Sequence, residues 1–81
     1  MRLITIPPSF YDDHIERDLP APPIIRQVRG RYEIDADHAD AAELLDDARH
    51  YASPNGPDCI TLGLRMSARA TVKAMETTKA S

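Results

Sequence analysis

The chain has 81 residues, a formal net charge of −3, one cysteine and no tryptophan, which bounds it to one small domain. A domain of this size buries only about 60% of the surface its unfolded chain exposes, so a deep substrate cavity would take core it can hardly spare, and an enzyme is disfavoured. The acidic balance argues against a bulk electrostatic grip on nucleic acid or anionic lipid. A lone Cys59 excludes an intramolecular disulfide and a cysteine zinc cage and fits a reducing cytosol.

In chain order, "RLITI" (residues 2 to 6) is short, β-branched and stopped by Pro7 and Pro8, which predicts a strand. The same run is too short for a signal-peptide core, and no segment approaches the ~20 apolar residues of a membrane span. The expectation is a cytoplasmic protein without a membrane segment. "SFYDDHIERDL" (9 to 19) predicts a short helix capped by Ser9, with Asp12 three residues on as in a capping box. Tyr11 and Ile15 would form its apolar side and His14 would be a surface partner of the neighbouring aspartates. "LPAPPI" forces an extended crossing.

"IIRQVRGRYEID" (24 to 35) alternates, with Ile24, Val28, Tyr32 and Ile34 on one parity and Gln27, Arg29, Arg31 and Glu33 on the other. This is the period of one long half-buried strand, with Gly30 marking a bulge or a close backbone approach. "DADHADAAELLDDARHYA" then places Ala41, Leu44, Leu45, Ala48 and Tyr51 on a 3.6-residue repeat, with Asp37 as the expected N-cap. Asp40, Glu43, Asp46 and Asp47 give that helix an acidic face. "SPNGPD" (53 to 58) is turn chemistry. In the last helix Leu64, Ala68, Val72 and Met75 form an apolar stripe beside the basic residues Arg65, Arg69 and Lys73.

The predicted fold is α+β in the order β-α-β-α-α, a two-stranded sheet packed on helices. The domain would span residues 1 to 76, with 77 to 81 a frayed tail. Two strands are marginal alone and leave an exposed edge, so a homodimer that completes the sheet or shares the helices is expected.

No motif carries chemistry. "DADHAD" lacks the ligand spacing and glycine of a calcium loop, the three histidines show no zinc spacing, and "HIERDLP" lacks every other part of a kinase. No cofactor, metal or catalytic residue is assigned. The candidate partner surface is the basic set Arg29, Arg31, Arg65, Arg69 and Lys73, opposed by the acidic face. That separation would steer a protein partner or let two subunits meet head to tail, and the alternative is a patch for the phosphate backbone of nucleic acid.

Three stretches, "FYDDHIERDLPAP", "AELLDDARHYA" and "SPNGPD" leading to "LGL", resemble as a set small uncharacterised proteins of actinobacteria and of the phages that infect them. The resemblance covers most of residues 3 to 64 and implies no activity for any residue. It implies a class, the small accessory protein that interacts with a host or phage protein or with itself.

Overall fold

A computed structural model describes residues 1–54 and 60–80, and in the last three of these the backbone alone. The elements are β1 (Leu3–Ile6), α1 (Pro8–Glu16), β2 (Ile24–Val28), β3 (Arg31–Asp35), α2 (Ala41–Ala52) and α3 (Leu62–Ala80). The strands form one antiparallel sheet in the order β1-β3-β2, and the helices bury its inner face.

The α+β class stands, but two expectations are corrected. The sheet has three strands and the order is β-α-β-β-α-α. The stretch expected to be one long strand folds back on itself at Arg29 and Gly30, both at positive φ (53° and 75°). Two such residues between paired Val28 and Arg31 make the tight turn whose twist matches a β-hairpin. Gly30 therefore serves the turn, and the bulge lies at Ile25, between Ile24 and Arg26. The third strand comes from the chain itself.

The bulge also sorts the faces. Ile24 comes opposite Ile34, which pairs with Ile4 on its other side, so a row of three isoleucines crosses the inner face. Val28 instead pairs with Arg31 and Arg26 with Glu33, on the open outer face. Ile4, Ile6 and Ile34 are buried, whereas Leu3 and Ile25 are nearly half exposed.

Helix α1 begins two residues earlier than predicted, with Pro7 rather than Ser9 at the N-cap and Pro8 in the first turn, where a missing N–H costs nothing. Ser9 does not cap it. The Phe10 N–H is instead met by Ser67 Oγ from α3 at 3.0 Å, a cap supplied from a distant element. The buried residues of α1 are Phe10, Tyr11 and His14, while Ile15 is exposed. Asp18 ends the helix at φ 58°; the Asp18 N–H reaches the Ile15 carbonyl and the Leu19 N–H the His14 carbonyl, the paired bonds of a Schellman motif.

Asp35 Oδ1 accepts from the Arg2 and Asp37 amides and shapes the turn into α2. That helix starts at Ala41 with Asp40 as N-cap and no side-chain cap bond, not at Asp37. It ends at Ala52, where the prolyl turn was expected; positions 55 to 59, with Cys59, lie outside the described residues. Helix α3 crosses α1, α2 and β1, burying Ala68 and Met75 together with Ser67 and Thr71. Its backbone is helical through Ala80, and Ser81 lies outside the described residues. Among the described residues no helix is long and apolar enough to cross a membrane.

Candidate functional site

Three constellations hold most of the polar side chains. The first is buried. His14 is 1% exposed, its Nδ1 lies 2.6 Å from Asp47 Oδ2 and its Nε2 lies 2.9 Å from the Pro20 carbonyl. A carboxylate and a carbonyl both accept, so each ring nitrogen faces an acceptor. Arg17 also bonds Asp47, reaches Asp13 Oδ2 at 3.0 Å and lies 4.6 Å over the Tyr51 ring. Burial pushes the Asp47 carboxyl up, but its bonds to Arg17 and His14 outweigh this and hold it below the usual range. His14 has no ring atom left for a substrate. The cluster ties α1 and the crossing after it to α2.

Sequence reasoning placed His14 at the surface beside Asp12 and Asp13. Its contacts come from Asp47, 33 residues away, and only the spacing of Phe10, Tyr11 and His14, consistent with one helix face, hinted at burial.

The second constellation surrounds the start of α2, where a depression of about 280 Å³ is lined by residues including Arg2, Asp37, His38 and Leu45. Its polar groups are engaged: Arg2 Nε donates to Asp37, and His38 Nδ1 accepts the Asp40 N–H at 3.1 Å.

The third is a groove of about 390 Å³ between β1 and α3, bordered by Leu3, Thr5 and Arg31 on the sheet and Ala70, Lys73 and Ala74 on the helix. Positions 70, 73, 74 and 77 recur at one-turn spacing and present one flank of α3. The β1 wall is a main-chain edge. The Ala36 N–H donates to the Arg2 carbonyl at 2.7 Å, which makes 2 and 36 a bonded pair in the register of β1 and β3. Antiparallel pairs alternate, so Ile4 and Ile6 turn their N–H and C=O to β3, and Leu3 and Thr5 turn theirs to the free edge. Among the described residues no main-chain bond from another element meets them.

The basic residues named from sequence divide here. Arg31 and Lys73 meet in the groove. Arg69 lies one turn before Lys73 on α3 and Arg29 sits at the hairpin tip, both exposed. None of these four makes an ion pair among the described residues. Arg65 is turned elsewhere, its Nη1 donating to the Ser53 carbonyl at the end of α2 (2.9 Å). The other arginines are paired: Arg2 with Asp37, Arg17 with Asp13 and Asp47, Arg26 with Glu33, and Arg49 with Glu76.

The acidic set divides as well. Glu43 and Asp46 are exposed on α2 and Asp40 is half-buried at its start, whereas Asp47 turns inward to His14 and Arg17. Among the described residues no group of three or more His, Cys, Asp or Glu could hold a metal ion. Compared with known families, with curated proteins and with solved structures, the chain matches none.

Proposed function

We propose that the protein is a small non-enzymatic interaction module that holds an acidic protein partner along the groove between β1 and α3. The observation that carries this reading is that Arg31 and Lys73 both line that groove without a counter-ion, while Arg2, Arg17, Arg26 and Arg49 are engaged with internal partners. Two unpaired cations on a partly apolar wall favour a ligand that brings negative charge and apolar surface together. A second copy of the chain seated symmetrically in the groove would bring the same cations against themselves, which favours a different molecule as the partner. The resemblance to accessory proteins of actinobacteria and their phages makes a host or phage protein in the cytoplasm the natural candidate.

The competing reading is a phosphate-backbone surface built from Arg29, Arg31, Arg69 and Lys73. The unpaired state of all four favours it; the absence of an aromatic side chain from the groove removes the stacking that single-strand binders use. Affinity capture from actinobacterial lysate, with and without nuclease, separates the two when run beside the double variant Arg31→Glu/Lys73→Glu. A protein retained after nuclease and lost with the double variant is the expected result. Retention that disappears with nuclease, and falls steeply with salt, would establish nucleic acid instead. Retention unchanged by the double variant would remove the groove from both.

A further inference from the structure

We infer that the partner enters the groove as an extended acidic segment that adds to β1 as a fourth strand, an inference that rests on the groove being the site of an acidic partner. The main chain supplies the first reason. Leu3 and Thr5 present N–H and C=O groups at the free edge of a sheet whose other strands are already paired, the template on which strand addition works. Native edges of this kind are usually blunted by charge, by proline or by a covering element. The β2 edge is blunted by its bulge at Ile25 and by Pro22 and Pro23 just before it. The β1 edge is four residues long and stopped by Pro7 and Pro8, but beside Leu3 and Thr5 it has a groove where a cover would lie.

The groove wall supplies the second reason. A strand beside β1 would lie against Ala70 and Ala74 of α3, whose short side chains let a backbone approach. Alternate side chains of the added strand would point to that helix and to the open sheet face, which Leu3, Thr5 and Arg31 share. The groove volume lies within the roughly 300–1,000 Å³ of ligand clefts.

Charge supplies the third reason and fixes the kind of segment. Arg31 and Lys73 stand at the groove without counter-ions, Arg69 follows one turn away, and no acidic side chain lines it. An extended segment rich in glutamate or aspartate neutralises them, and a basic or neutral segment does not.

The test uses the full chain, isotope-labelled for NMR, and two synthetic heptapeptides of equal charge. One alternates three Glu with Val or Thr; the other is Glu-Pro-Pro-Glu-Pro-Pro-Glu, whose prolines fall on both edges of a strand and break a ladder on either side. The Glu/Val/Thr peptide is expected to bind, to shift and protect the Leu3 and Thr5 amides, and to bind at least about tenfold more tightly than the Glu/Pro peptide. Thr5→Pro removes only an outward-facing N–H and is expected to abolish that preference; Lys73→Glu is expected to weaken both peptides. Equal binding of both peptides, weakened by Lys73→Glu but with the Leu3 and Thr5 amides unmoved, would overturn strand addition and leave the acidic-partner reading standing. Binding of neither peptide would overturn both. Concentration-dependent protection of the same amides in the protein alone would assign the edge to a second copy and overturn the acidic segment. The wild-type amide data decide the outcome even where circular dichroism shows that Thr5→Pro fails to fold.

Discussion

His14 shows how much one side chain can depend on the whole chain. Its ring is held by a carboxylate on α2 and a carbonyl in the crossing at Pro20, so removing it takes one partner from each of these part-buried acceptors and leaves a hole beside Phe10, whose ring centroid is 5.9 Å away. His14→Ala is expected to cost about 2–4 kcal/mol in urea unfolding. His50→Ala, at an exposed position of α2, is expected to stay within about 0.5 kcal/mol. Equal losses from the two would mean that the cluster does not clamp the fold. The same cluster predicts an acid limb. The folded Asp47 carboxyl is held below its ordinary value by Arg17 and His14 against the opposing effect of burial. Its contribution is therefore fully present above about pH 4, the ordinary aspartate value, and is lost as pH falls through the folded value. Thermal unfolding of the wild type should fall in that window, and Asp47→Asn should start lower at neutral pH and lose less on acidification. A slope unchanged by Asp47→Asn would assign the acid limb to other carboxyls, of which Asp35, lowered by the Asp37 and Arg2 amides, is the first candidate.

At the scale of elements, the start of α1 is held from outside the helix. Ser67 of α3 accepts the Phe10 N–H, and Thr71 donates to the Ser67 carbonyl one turn below, so both buried hydroxyls of α3 serve the contact with α1 or the helix itself. Ser67→Ala is expected to cost about 1 kcal/mol, the usual loss of a cap, while Ser9→Ala should be near neutral in the same thermal scan; the reverse order would show that α1 is capped locally after all. Sequence alone pointed to Ser9, because local spacing is all it offers and the true acceptor lies 57 residues on. The same limit explains the missed hairpin. Arg29 is not a residue that announces a turn, and a two-residue loop hardly disturbs an alternating pattern, so residues 24 to 35 read as one strand. The bulge at Ile25 hid the sorting too, since it puts Ile24 inside and Val28 outside although both lie on one parity. What was legible followed from short-range chemistry: the strand stopped by Pro7 and Pro8, the span of α2 to Ala52, and the stripe through Ala68 and Met75. Of the candidate surface, Arg31 and Lys73 were named from sequence, but their meeting across a groove, and the diversion of Arg65 and Asp47 to internal partners, depend on packing that no local pattern encodes.

Across the whole molecule one core joins both layers, and Ile34 sits at its centre. It is fully buried on the middle strand, flanked by Ile4 and Ile24 across the sheet, and belongs to the cluster that includes Phe10, Leu44, Ala68 and Met75 from the three helices. A chain of this size has a total stability of roughly 4–12 kcal/mol at the ordinary value per residue. Ile34→Ala should remove about 2–5 kcal/mol through lost burial and the cavity left behind, a large part of that total. Because the sheet and helices share this core, the loss should be global: amide exchange should quicken in α3 and α2 as well as in β3, and urea should give one transition by fluorescence and circular dichroism alike. Ile25→Ala, at the exposed bulge, should change stability by no more than about 0.5 kcal/mol and leave exchange in the helices as it was. Quickened exchange confined to the strands of the Ile34→Ala variant would divide the molecule into a sheet and a helical layer that unfold separately. Under that outcome the groove between β1 and α3 would be a seam between two independent units, and the rigid edge that strand addition requires would be missing.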